Sequence, residues 1–228
     1  MFKLSRSSKM KHLAEMLGLK KVNVASADLV CGYTCPMADK CKSFANPKTG
    51  KVTDAKSCEY RCYGTSLEAA FPAVRNLHWN NFDLVREAKT TEAMTDILLS
   101  AIRPNVKVLR VHSFGDFFND NYFYAWVNVA EMRPEISFFA YTKVLPYIKV
   151  SRPENFSMVY SYGGKMDNLV TDEPVSYVMN TQEDADKKSI PVSCVKHPAD
   201  DYNFITAGKS FALLLHGVQP KGAMAMTA

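Results

Sequence analysis

Four short runs rich in β-branched and aromatic residues mark the second half of this chain: Val106–His112, Ile136–Thr142, Phe156–Tyr162 and Val175–Asn180. Between the first two lies Asn119–Pro134, where Tyr122, Trp126, Val129 and Ala130 recur at the spacing of one helix face. Strands separated by a helix-length segment are not hairpin partners. They read as a βαβ unit, and a succession of such units builds a parallel sheet. The expected fold is therefore α/β, a complete or partial parallel (β/α) barrel, with a doubly wound sheet as the alternative. Connections shorten after Val150, so the helix–strand alternation is less strongly imposed there.

Upstream, Leu67, Ala70, Phe71, Val74, Leu77 and Phe82 recur at helical spacing from a start near Ser66, with a bend expected at Pro72. A second helix is expected over Thr91–Ile102, stopped by Pro104 and Asn105. At 228 residues the chain fits a single domain. Its first 65 residues read as a basic amino terminus and cysteine-rich loops, and residues 66–228 as the βα core. No uncharged apolar run approaches the roughly 18 residues of a membrane span. Lys11, His12 and Glu15 interrupt the amino terminus, which therefore does not read as a secretory signal; a cytoplasmic location is expected.

The net charge of +5 is concentrated at Lys3, Arg6, Lys9, Lys11, Lys20 and Lys21, with Glu15 the single acid among them. Such a segment suits nucleic acid or, more simply, a solvated basic helix. The second reading is favoured because only Phe2 supplies an aromatic ring there.

The cysteines fall as Cys31-x3-Cys35-x5-Cys41, then Cys58-x3-Cys62, then a distant Cys194. In a reducing compartment this clustering points to metal or redox chemistry rather than a disulfide framework. The residues around them are Gly, Thr, Pro, Asp, Lys and Asn, and the insert NPKTGKVTDAKS is poor in apolar groups, so these are not ordinary core cysteines. Zinc knuckles commonly use C-x2-C, which is absent. Irregular spacings suit an iron–sulfur cluster, whose thiolates come from irregular loops. C-x3-C is also the opening of the radical S-adenosylmethionine motif C-x3-C-x2-C, but the next spacing here is x5.

Cys35-Pro36, Cys41, Arg61-Cys62, the run Val111–Phe118, Tyr141-Thr142-Lys143 and Gly208-Lys209-Ser210-Phe211 together resemble the gene-product-eighty-eight-like family of bacteriophage proteins. The resemblance runs from about Thr34 to Gly217. It implies phage origin, hence the host cytoplasm, and an iron–sulfur, radical-enzyme-like barrel, of [4Fe-4S] type, without naming a reaction or substrate. It also implies Cys35, Cys41 and Cys62 as the cluster ligands. Three thiolates leave one iron for Cys31, Cys58, Cys194, a histidine, or a small molecule such as S-adenosylmethionine. The rival expectation is a non-enzymatic module stapled by zinc or a closed cluster that engages nucleic acid or a host protein.

His112, Asp116, Tyr141 and Lys143 follow expected strands, and the carboxyl edge of a parallel sheet is where ligands bind. His112, Asp116 and Lys143 are the candidate catalytic residues. Gly163-Gly164 reads either as a close backbone approach to a ligand or as a tight turn. Gly208-Lys209-Ser210 is not a nucleotide-binding loop, since Asn203 stands where the earlier glycine is required, although Lys209 is placed toward the site.

Overall fold

The computed structural model describes residues 1–193 and 201–223. The chain opens with helix α1 (Ser8–Met16), capped by the Ser7 side chain, and enters strand β1 (Val24–Ala27). A hairpin follows, β2 (Ser43–Ala45) against β3 (Val52–Asp54). Helices α2 (Tyr63–Ala70), α3 (Pro72–Ala88) and α4 (Thr91–Ala101) lead into β4 (Val108–Val111). Then come α5 (Asp120–Met132), β5 (Ser137–Thr142), α6 (Leu145–Lys149), β6 (Phe156–Ser161) and β7 (Val175–Met179). Short helices α7 (Gln182–Lys187) and α8 (Asp201–Thr206) precede the last strand, β8 (Phe211–Leu214).

Six of these strands form one sheet in the order β1-β4-β5-β6-β7-β8, every neighbouring pair parallel. The spatial order follows the chain without reversal, so there is no switch point, and the sheet curls into an open half-barrel rather than a doubly wound sheet. Alternate residues serve opposite faces. Leu109, Val111, Phe138 and Ala140 pack with Trp126, Tyr122, Phe123, Val85 and Leu98 on the side of α3, α4 and α5. Val24, Val108, Phe139, Val159 and Phe211 pack with Met10, Leu13, Ala14 and Ile205 on the side of α1 and α8. Each large side chain fully removed from water in these layers contributes on the order of 1.5–3 kcal/mol.

The strands read from the sequence are present but shorter at their ends. Three features differ. The sheet takes its first strand from residues 24–27, inside the segment read as loops, and the polar insert there carries β3 and the hairpin turn. The helix after the cysteines starts at Tyr63 and is broken rather than bent: Phe71 precedes Pro72 and is held extended (φ −121°, ψ 98°), so Pro72 opens a new helix. The basic α1 is not simply solvated. Lys9 reaches under the sheet to the buried Asp201 at 2.5 Å, beside Arg110 Nη1 at 3.3 Å and the Tyr141 hydroxyl at 2.6 Å.

Candidate metal centre

The segment leaving β1 is drawn across the carboxyl edge of the sheet by backbone and carboxylate contacts. Asp28 Oδ1 accepts the N–H of Ser113 at 2.7 Å, and Leu29 N–H donates to Phe114 O at 3.0 Å. Further along, the N–H groups of Asp39 and Lys40 donate to Gly163 O, and Lys165 N–H donates to Met37 O at 2.9 Å. Gly163 has φ +96°, and a Cβ there would stand 2.7 Å from the Tyr60 hydroxyl. The close approach that the Gly-Gly pair permits is to the cysteine segment itself.

This docking gathers four thiols. Cys31 is fully buried, whereas Cys35, Cys41 and Cys62 are half-buried. Cys62 occupies the N-cap position of α2 without a side-chain capping bond, and the Cys31 thiol lies beside its sulfur. That contact, with the backbone N–H groups of Thr65 and Gly64, lowers the Cys62 thiol below its ordinary range, as a sulfur at a helix amino terminus requires. Burial raises the Cys35 thiol, and negative charge on Asp116, Cys62 and Cys41 adds to the rise. Burial also raises Cys41, opposed by the Lys143 ammonium. The Cys58 thiol donates to Tyr60 O at 3.2 Å while lying near enough to Cys41 and Cys62 for their charge to bear on it. Among the described residues no three His, Cys, Asp or Glu side chains converge closely enough to hold a single ion. Cys194 lies outside the described residues.

Three residues that the sequence did not single out support the cysteine segment. Glu68, fully buried on α2, accepts the Cys31 N–H at 3.0 Å and meets His78 Nδ1 at 2.7 Å. Its Oε2 has no partner among the described residues. Gln219 brackets Arg61, accepting its N–H at 2.8 Å and donating to its carbonyl at 3.1 Å. A glutamate on an otherwise apolar helix face was the one available signal; the Gln219 contact had none.

The expected catalytic residues separate into two groups. Asp116 and Lys143 come together beside the thiols. The Asp116 carboxylate accepts from Phe117 N–H (2.7 Å), Thr142 Oγ1 (2.8 Å) and Lys143 N–H (2.9 Å), and burial pushes it up to about 6. Lys143 Nζ donates to Ser161 O (2.8 Å), Ser161 Oγ (3.1 Å) and Tyr162 O (2.7 Å). His112 is not brought to the thiols: its ring meets Phe117 and the Tyr122 hydroxyl (3.2 Å) on the α5 side. It holds a left-handed backbone (φ 70°), and burial, aided by the Arg110 charge, pushes it down to about 3. Lys209, expected toward the site, is exposed in the turn entering β8, at the opposite edge. His216 does reach the carboxyl edge, its ring 5.0 Å from that of Tyr63.

Fold and edge together define an α/β half-barrel that presents four thiols where parallel sheets bind ligands. A family model described as Gene product 88 matches residues 3–226, and the chain belongs to this bacteriophage family. The Gene 88 protein of Mycobacterium phage L5 is 32% identical over 117 residues, covering 46% of this chain and 48% of its own length. That of Mycobacterium phage D29 is 31% identical over 117 residues with the same coverage. The chain thus spans about half the length of these curated relatives. No solved structure matches. Among the described residues no helix is long and apolar enough to cross a membrane.

Proposed function

We propose that this half-barrel binds an iron–sulfur cluster of [4Fe-4S] type at its carboxyl edge, with Cys35, Cys41 and Cys62 as ligands and one iron left for a small molecule, S-adenosylmethionine among the candidates. The observation that carries this reading is that three half-buried thiols from two separate segments lie near enough at this edge for their charges to act on one another, beside the buried Cys31. The donor set fits the group. Soft thiolates suit iron, the α2 amide groups favour a deprotonated Cys62, and the Lys143 ammonium beside Cys41 offsets thiolate charge.

Bound there, a cluster with an open iron supplies a one-electron source and a coordination position for a ligand. The chain's own groups have separate tasks. Asp116 holds the start of the β4 loop to the end of β5, and Lys143 holds the end of β5 to β6, so both position the edge. Their polar atoms are occupied by these contacts, and a direct role in a reaction requires one of them to exchange partners with the ligand. His112 acts from behind, through Tyr122 and the left-handed turn that aims the β4 loop.

The approach of Cys31 to Cys62 favours one competing reading, a closed four-thiolate centre with a structural or electron-transfer role. Anaerobic reconstitution with iron and sulfide tests both. Brown protein absorbing near roughly 400 nm with about four irons per chain supports a cluster, and colourless protein holding stoichiometric zinc overturns it. Perturbation of the reduced cluster's paramagnetic resonance by S-adenosylmethionine identifies the open form; indifference to it identifies the closed one.

A further inference from the structure

The β2–β3 hairpin has a second face that the cluster reading does not use. Its inner face packs on α2, where Ser43 Oγ meets Thr65 Oγ1 at 3.0 Å. Phe44 lies directly across from Thr53 on the outer face, and the two-residue period of a strand adds Lys42 and Asn46 beside Phe44, with Lys51 beside Thr53. Tyr33, 43% exposed, stands over this face with its ring 5.1 Å from Phe44 and 4.9 Å from Trp79. Tyr33, Phe44, Asn46 and Thr53 line a cleft of about 370 Å³. Lys42 Nζ lies 5.9 Å from the Phe44 ring centroid, and Lys48 and Lys51 are exposed around the turn. The neighbouring acids are engaged elsewhere, Asp54 by Arg61 at 2.6 Å and Glu59 by Lys40. Lys42, Lys48 and Lys51 form no ion pair among the described residues.

An exposed aromatic ring over a shallow cleft, rimmed by uncompensated cations, has the chemistry of a stacking platform with phosphate contacts. A protein partner would leave the lysines to be neutralised by a coincident acidic patch. A duplex offers no unstacked base to Tyr33, and strands of three residues make a short ribbon for a major groove. We propose that this face binds single-stranded nucleic acid, one base stacking against Tyr33 in the cleft while Lys42, Lys48 and Lys51 contact the flanking phosphates. The site is distinct from the basic amino terminus.

Fluorescence anisotropy of the full chain with a labelled thymidine oligonucleotide of about twelve residues tests this. Three phosphate contacts predict a slope of log affinity against log salt near −2, reduced by about 0.7 for each lysine neutralised. Tyr33→Ala is expected to weaken binding about tenfold or more, in the range of one lost stack. The pair Lys48→Glu and Lys51→Glu, both on exposed turn positions, is expected to do the same while leaving the thermal melt and any iron content unchanged. Trp79 fluorescence should be quenched on binding. Three results overturn the proposal: no saturable binding at low salt; equal or tighter binding of the matching duplex; or binding that survives the hairpin variants and is lost in Lys20→Glu with Lys21→Glu.

Discussion

The Asp116 carboxylate accepts the backbone N–H of Lys143 at 2.9 Å, so these two candidate site residues are bound to one another before any ligand arrives. The same carboxylate holds Phe117 and Thr142. Asp116→Asn turns a donor toward groups that are themselves donors. It is expected to lower stability by about 2–4 kcal/mol in urea unfolding, and to lower cluster retention with it if the edge is what positions Cys35. Full stability in Asp116→Asn would show that these three contacts are incidental.

The ligand assignment predicts an asymmetric serine scan. Cys35→Ser, Cys41→Ser and Cys62→Ser should each abolish iron and sulfide retention after anaerobic reconstitution, while Cys58→Ser, whose thiol faces Tyr60 O, should retain both. Cys31→Ser decides between the open and closed forms. Full retention of iron by Cys35→Ser would refute the assignment.

Gly64 provides a test in which two effects oppose. Alanine in a helix interior is ordinarily worth about 1 kcal/mol over glycine, and less in the first turn where Gly64 sits. Here its Cβ would lie 2.3 Å from Cys31 Sγ and 2.5 Å from Phe114 Cδ1. Overpacking of that severity costs about 1–3 kcal/mol, so Gly64→Ala should be net destabilising and should push Cys31 and Cys62 apart. Slower alkylation of Cys62 at neutral pH, as its thiolate loses the Cys31 donor, would accompany the lower melting temperature.

His112 sets an acid limit. Its folded pKa is about 3 against an ordinary 6.5. Below pH 6.5 the unfolded chain takes up a proton that the folded chain refuses, so this contribution is full above 6.5 and declines as pH falls toward 3. Asp116, raised to about 6, acts in the opposite sense between 6 and its ordinary 3.8, because there the folded chain holds the extra proton. The two therefore partly cancel in the native protein. The comparison with His112→Asn, a residue tolerant of the left-handed backbone, isolates the histidine: the stability difference should shift by about 1.4 kcal/mol per pH unit below 6.5. A difference independent of pH would mean that the ring takes up its proton as readily in the folded chain as in the unfolded one.

Asp201 is the common acceptor of Lys9, Arg110 and Tyr141. Asp201→Asn leaves two cations facing each other under the sheet and is expected to cost about 3–5 kcal/mol, whereas Lys9→Met removes one of those cations and should cost much less. A double-mutant cycle on chemical unfolding measures their coupling.

The parallel half-barrel was legible because its strands are apolar on both faces and its longest crossover helix carries a clear stripe, Tyr122 and Trp126 onward. The first strand escaped because VASA is four residues of small or β-branched type beside the cysteines, and its identity comes only from pairing with Val108–Val111. The short hairpin escaped for a similar reason: Val52–Asp54 reads as polar, and its order comes from the Asn46 side chain accepting the Lys48 and Thr49 amides. At the site, the directions of the side chains were not legible. Nothing in the local sequence distinguishes a histidine aimed at Tyr122 from one aimed at a thiol, because a left-handed residue at 112 turns the side chain away from the strand's alternation.

The bracket that Gln219 places on Arg61 joins residues 158 positions apart. During synthesis the cysteine segment leaves the ribosome well before Gln219. The surroundings of Cys62 therefore stay unbracketed while the intervening residues are made, and whatever they are to hold can be loaded before Gln219 closes beside them.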